Sequence, residues 1–182
     1  MGNDKEHKFD SMAIFFLIGY MGSGKSTVGK KLATKLGYKF IDMDKYIEAE
    51  YQQTIPEIFA TKGDGEFRAM EHNALKKIVN ENNVVIACGG GTPYYYDNID
   101  LMNNNGTTIY IKMSVDALIS RLVYAKEQRP LIANKTETEL RVFVNKQLEK
   151  REDIYHKAHY IVKGKNLDVD ELILFIKEKV GI

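Results

Sequence analysis

The run Gly19-Tyr20-Met21-Gly22-Ser23-Gly24-Lys25-Ser26 has the spacing G-x-x-x-x-G-K-[ST], a pattern suited to holding phosphate. Its glycines let backbone N–H groups converge on phosphate oxygens with no Cβ in the way. A helix starting at Lys25 points its positive end at the same anion. Lys25 is expected to reach the β- and γ-phosphates. The Ser26 hydroxyl is an oxygen ligand suited to Mg2+, a hard cation. Gly22, Ser23, Gly24 and Thr27 complete the loop. A glycine-rich turn that binds nothing has the same composition. Here the run lies between an apolar stretch and a helical pattern, so nucleotide binding is the expectation.

A phosphate loop leaves the phosphoryl acceptor open, and other residues bear on it. Asp42 and Asp44 flank Met43 at the end of a short apolar run. One could hold Mg2+ through water while the other faces an acceptor hydroxyl; two solvated turn aspartates are the competing reading. Arg68 and Glu71 stand at i, i+3 on one helix face, where Glu71 could fix a guanidinium that grips a carboxylate in bidentate fashion. A surface salt bridge has the same spacing. Gly89-Gly90-Gly91 could bring backbone N–H groups close to a small ligand or simply turn the chain. Arg129-Pro130-Leu131 lies in a polar stretch of the kind that closes as a lid, where an arginine can meet the transferring phosphate. Arg151 and Tyr155, at i, i+4, could be a ligand pair or an arginine stacked on a tyrosine.

The elements that must position these groups can be read in outline. Residues 13–18 are apolar without alternation, the pattern of a strand buried on both faces. Val28, Leu32, Ala33 and Leu36 recur at helical spacing up to Gly37. Strands are expected over 38–41, 84–87, 107–112 and 160–162. Thr54 and Glu57 form a capping box for a short helix that Gly63 breaks, and a longer helix carries Phe67, Met70, Ala74 and Ile78. Further helices are expected near 115–124, over about 138–157, and after Asp168. Alternating strands and helices predict a three-layer α/β sandwich around a parallel sheet. Ligands bind beyond the carboxyl ends of such strands, where the candidate residues fall.

Composition narrows the function classes. The 182 residues suit one domain, expected over 12–182 with a lid near 113–136, after a disordered arm at 1–11. Lys plus Arg number 26 and Asp plus Glu 25, a balance that favours neither nucleic acid nor an anionic membrane as partner. The apolar run at 13–18 is too short to span a bilayer, and residues 1–11 lack the pattern of a signal peptide. One cysteine, Cys88, cannot form an internal disulfide and fits a reducing cytoplasm. A monomer is the expected state.

Taken in order, the phosphate loop through Thr27, Phe40-Ile-Asp-Met-Asp44, Ile55-Pro-Glu-Ile-Phe59, Phe67-Arg68-x-x-Glu71, Gly89-Gly90-Gly91, Arg129-Pro-Leu and Arg151-x-x-x-Tyr155 resemble the shikimate kinase family from about Ala13 onward. The resemblance implies a nucleoside-monophosphate-kinase-like P-loop fold with a five-stranded parallel sheet in the order 2-3-1-4-5. It implies transfer of the ATP γ-phosphoryl to the 3-hydroxyl of shikimate, with Mg2+, in aromatic amino-acid biosynthesis. By the same resemblance Lys25 and Ser26 keep their roles and Asp42 is a water-mediated metal partner. Asp44 orients or deprotonates the acceptor, and Arg68 and Arg151 hold the shikimate carboxylate, with Glu71 supporting Arg68. Gly90 and Gly91 contact ring hydroxyls, and Arg129 is the lid arginine. Arg121 and residues 163–166 are the nearest candidates for the adenine. The family's usual Glu is Asp64 here, expected to serve helix capping. Gluconate and nucleotide kinases share such a fold and are the enzyme rivals. A switch protein is disfavoured, because Asn134-Lys135 and Asn145-Lys146 are not followed by x-Asp.

Overall fold

The computed structural model describes residues 13–124, 132 and 134–181. The expected arm at 1–11, Arg129, and residues 125–131 and 133 of the expected lid lie outside the described residues.

Ile14–Ile18 (β1) has five apolar side chains and all five are buried. Side chains alternate across a strand. Ile14, Phe16 and Ile18 therefore enter one core, and Phe15 and Leu17 enter the other. A segment with no polar face is at its lowest free energy in the middle of the sheet, and β1 is the central strand. Lys39–Asp42 (β2), Val84–Ala87 (β3), Thr107–Lys112 (β4) and Tyr160–Lys163 (β5) complete it in the order β2-β3-β1-β4-β5, every pair parallel. This is the order that the resemblance implies.

Helices cover both faces. Lys25–Leu36 (α1) and Val169–Val180 (α7) share a core with Phe15 and Leu17. Met43–Tyr51 (α2), Ile55–Ile78 (α3), Asn98–Asn105 (α4), Val115–Tyr124 (α5) and Glu137–Tyr155 (α6) contribute to the other core. Among the described residues no helix is long and apolar enough to cross a membrane. The caps match their residues. Gly37 ends α1 at φ 69°, the Thr54 and Thr136 capping boxes are both made, and Asp168 accepts from the Asp170 and Glu171 N–H groups.

One expected break is present, and two helices depart from expectation. Gly63 interrupts α3 as expected: its φ of 80° and ψ of 175° lie outside the helical region, so α3 is two helical segments that meet at a kink. Helix α2 follows β2 directly, capped by Asp42, whose carboxylate accepts from the Lys45 N–H; Met43 and Ile47, one turn apart, are its buried residues. Helix α4 forms from a segment rich in asparagine, a poor helix former, because Ile99 and Met102 bury one side of it. A 3-10 turn, Thr92–Tyr94, precedes it.

The register brings the chemistry together. Ala87 at the end of β3 pairs with Leu17 of β1 and Asp42 of β2. Three strand ends thus deliver Gly19, Asp42 and Gly89 to one edge. Strand order reverses at β1, and the crevice at such a reversal is where ligands bind.

The tightest approach at the opposite edge is Gly106, which leads into β4. A Cβ there would stand 2.6 Å from the Ile14 carbonyl oxygen and 2.9 Å from a Phe16 ring carbon. Gly106→Ala is expected to cost about 1–3 kcal/mol through overpacking alone, since the backbone is extended there. Urea unfolding measures it, and an unchanged midpoint would mean that this turn backs away freely.

Candidate active site

The phosphate loop closes around a cation. Gly24 caps α1 at φ 96°, so Lys25 opens the helix as expected. Its ammonium donates to the carbonyl oxygens of Gly19 at 2.8 Å and Tyr20 at 2.9 Å and is buried. The Ser26 hydroxyl donates to Asp42 Oδ2 at 2.7 Å. Capping by the other oxygen of Asp42 orients its carboxylate. Two hard oxygen donors from different elements thus adjoin the loop, the donor set that suits Mg2+ completed by phosphates and water. Among the described residues no group of three or more His, Cys, Asp or Glu could hold a metal by itself.

A cavity of about 620 Å³ opens over this loop, and Gly22, Ser23, Gly24, Lys25, Ser26 and Thr27 all line it. Asp42, Asp44, Gly89 and Gly90 form its acceptor side. At the other end stand Arg121, Gly164 and Asn166, while Lys163 is not part of the lining. Arg121 donates to the Gly22 carbonyl at 3.1 Å, which fixes its guanidinium on the loop.

The acceptor side is built on buried charge. Arg68 and Glu71 are buried, so their pairing at 2.7 Å is not a surface bridge. The guanidinium lies 4.4 Å from the Tyr95 ring centre and 5.1 Å from that of Phe67. Its Nε and outer amino group face Asp64 Oδ1 at 3.2 and 3.0 Å. Asp64, the first residue after the Gly63 break, therefore pairs with Arg68 one turn on, which corrects the expected capping role: its carboxylate is turned to the guanidinium. Burial raises the Glu71 carboxyl above the usual range, against the opposing pull of Arg68 and of the Thr92 hydroxyl that donates to it.

Arg151 meets the same wall from α6. It lies 5.8 Å from the Tyr20 ring centre and donates to the Gly90 carbonyl at 3.5 Å. Its stacking partner is Tyr20, not Tyr155, whose hydroxyl instead donates to the Gly90 carbonyl. Burial pushes the Tyr155 phenol up to about 12, so it stays a donor. A Cβ on Gly91 would stand 2.7 Å from the Arg68 guanidinium, and one on Gly90 3.2 Å from the Met21 nitrogen. The glycine run thus lets both arginines and the phosphate loop close on one strip of backbone.

Sequence reasoning missed Tyr20, Tyr95, Thr92 and Asn98. The hydroxyl directly after three glycines was a usable signal for Thr92; nothing local marks the aromatic residues.

A family model described as shikimate kinase matches residues 21–180. A shikimate kinase of Parabacteroides distasonis is 46% identical over 143 residues, 79% of this chain and 83% of that protein. The crystal structure of shikimate kinase from Bacteroides thetaiotaomicron superposes with a TM-score of 0.88 at 39% identity, covering 94% of this chain and 100% of that one. A shikimate kinase from Acinetobacter baumannii, solved in complex with shikimate, gives 0.83 at 30% identity over 94% and 97%. The chain belongs to the shikimate kinase family.

Cys88 lines the cavity floor yet is buried, and burial drives its thiol far above the ordinary range. The thiolate is the reactive form, so folded protein at pH 8 is expected to react with iodoacetamide at least about a hundredfold more slowly than unfolded chain. Intact-mass measurement reads this directly. Rapid labelling of the folded chain would mean that the end of β3 opens to solvent.

Proposed function

We propose that this chain transfers the γ-phosphoryl of ATP to the 3-hydroxyl of shikimate, giving shikimate 3-phosphate and ADP in the route to chorismate and aromatic amino acids. One observation carries the reading beyond family membership. Arg68 and Arg151, the pair suited to a carboxylate, both contact the glycine strip whose other neighbour is the phosphate loop. A carboxylate held there brings the rest of its molecule toward Asp44 and the γ-phosphate.

Each residue then has a task. The Lys25 ammonium, already ringed by oxygen acceptors, takes the charge of the β- and γ-phosphates. Loop N–H groups of Gly22, Ser23, Gly24 and Thr27 bind phosphate oxygens, and Arg121 lies against the nucleotide. Ser26 and Asp42 would hold Mg2+, which supplies charge neutralisation at the phosphates. Asp44 accepts the proton of the 3-hydroxyl as its oxygen bonds to phosphorus and the bond to ADP breaks. The substrate carboxylate takes the outer edge of the Arg68 guanidinium in exchange with the exposed Asp64 carboxylate. Gly90 and Gly91 stand by the ring hydroxyls. Arg129, outside the described residues, is assigned to the lid that covers the transferring phosphoryl. We assign the protein as a cytoplasmic monomer with no nucleic-acid or membrane partner.

The deciding experiment is ADP release with MgATP and shikimate, gluconate or nucleoside monophosphates in parallel. Turnover is expected with shikimate alone, and Asp44→Asn is expected to lower kcat at least about a hundredfold while leaving MgATP affinity intact. Loss of MgATP binding in that variant would make Asp44 a metal ligand.

Arg68→Lys keeps the charge but not the planar fork. It is expected to weaken shikimate binding about tenfold or more with the MgATP dissociation constant unchanged, as calorimetry would show. Equal wild-type affinity for shikimate and its methyl ester would mean that no carboxylate is read.

A further inference from the structure

We infer that Thr92 is a positioning residue for carboxylate recognition: its hydroxyl holds Glu71, and through Glu71 it fixes Arg68, with Asn98 and His72 locking Thr92 in turn. The inference deepens the shikimate reading above and rests on it.

The Arg68–Glu71 pair is incomplete as an anchor by itself. Arg68 engages Oε2 of Glu71. The second oxygen, Oε1, accepts from the Thr92 hydroxyl. With one oxygen pinned a carboxylate can still swing about the bond that carries it; with both pinned it presents a single face to the guanidinium. Glu71 and Thr92 are buried, so water is a poor substitute for that hydroxyl.

Thr92 is itself held at its backbone. Its N–H donates to the Gly89 carbonyl at 3.1 Å, and its carbonyl accepts from Asn98 Nδ2 at 2.8 Å. That bond settles which way the buried Asn98 amide points. Its Oδ1 faces His72 Nδ1 at 2.6 Å, so Nδ1 of His72 carries the proton and donates. The His72 ring lies flat on Tyr96, centroids 4.6 Å apart. The chain of contacts runs from the surface to Arg68 through polar atoms of defined direction.

Gly89 is a second, independent mark of the same arrangement. A Cβ there would fall 2.6 Å from Glu71 Oε1 and 2.8 Å from the Thr92 hydroxyl. The hydrogen-bonded pair fills the space a side chain would need. The same position is 3.5 Å from Asp44 Oδ1, so the anchor lies directly behind the acceptor side of the cavity. Tyr95, three residues after Thr92, covers the face of the Arg68 guanidinium. One short segment therefore fixes both the anion behind the arginine and the ring above it.

The test is steady-state kinetics of Thr92→Val, which keeps the shape and removes the hydroxyl, beside Thr92→Ser, which restores it. A hydrogen bond to a charged group is worth about tenfold or more, so Thr92→Val is expected to raise the shikimate KM by about that factor. The MgATP KM is expected to stay within about twofold and Thr92→Ser near wild type, on the same estimate. Thr92→Ala against Thr92→Ser repeats the comparison with no methyl in either, should the valine fail to fold. An unchanged shikimate KM in the variants lacking the hydroxyl overturns the inference. So does an equal rise in both substrates' KM, or a serine variant no better than alanine, since each marks a merely structural role. If wild-type protein does not phosphorylate shikimate, the functional reading fails first, and that result is separate from the variants.

Discussion

Parallel pairing sends all strands of this sheet toward the same edge, and the register of β1, β3 and β2 aligns their last residues. Much of the active-site geometry descends from that constraint. An antiparallel neighbour would carry its connection to the far edge, and a one-residue slip would turn Asp42 to the other face of the sheet. The register is held by side chains remote from the chemistry. Phe15 and Leu17 point into one core and Ile14, Phe16 and Ile18 into the other, so any slip of β1 would disturb both. Burying each such side chain is worth about 1.5–3 kcal/mol, and β1 alone buries five of them.

Charge is arranged differently at the two ends of the cavity. At the phosphate end Lys25 donates to two backbone carbonyls, and Arg121 donates to a third. Carbonyl oxygens orient a cation through its N–H groups and bear no formal negative charge themselves. At the acceptor end Arg68 is paired with Glu71 and Asp64. A buried arginine without a counter-ion would be costly, and one fully neutralised would attract no carboxylate. Burial of one partner and exposure of the other resolves this. Glu71 is buried, whereas Asp64, beside the Gly63 kink, is exposed.

Much of this was legible in the residues. The phosphate loop, the Thr54 capping box and the strand at 84–87 are local signals, where spacing alone specifies structure. The strand order came from family resemblance, since periodicity cannot say which strands pair. What stayed hidden is what depends on non-local packing. Helix α4 drew no expectation from its asparagine-rich sequence, and the contacts that the core supplies to Ile99 and Met102 account for it. Tyr155 and Arg151, neighbours on one helix, do interact as read, yet both also reach the Gly90 carbonyl and the arginine lies over Tyr20, partners on other elements that spacing cannot reveal. Asp64 was misread for a related reason: capping is a local reading, whereas its carboxylate turns to Arg68, one turn on.

The glycine run shows why chemistry concentrates at residues without side chains. Each missing Cβ is filled by something different: the Glu71–Thr92 pair at Gly89, the phosphate loop at Gly90, the Arg68 guanidinium at Gly91. Three consecutive positions thus serve three directions, which no set of side chains could do at such short range. Backbone polar atoms left at this strip find side-chain partners, as when the Gly90 carbonyl accepts from Tyr155 and Arg151. Arg68, Arg151 and the phosphate loop are thereby referred to one short piece of chain. Phosphoryl transfer needs this, because positioning and electrostatics supply nearly all of its catalysis and an error of about 1 Å can cost a hundredfold in rate. The same closeness makes the strip unforgiving: a change that moves one glycine moves it against the phosphate loop, Arg68 and the Glu71–Thr92 pair together.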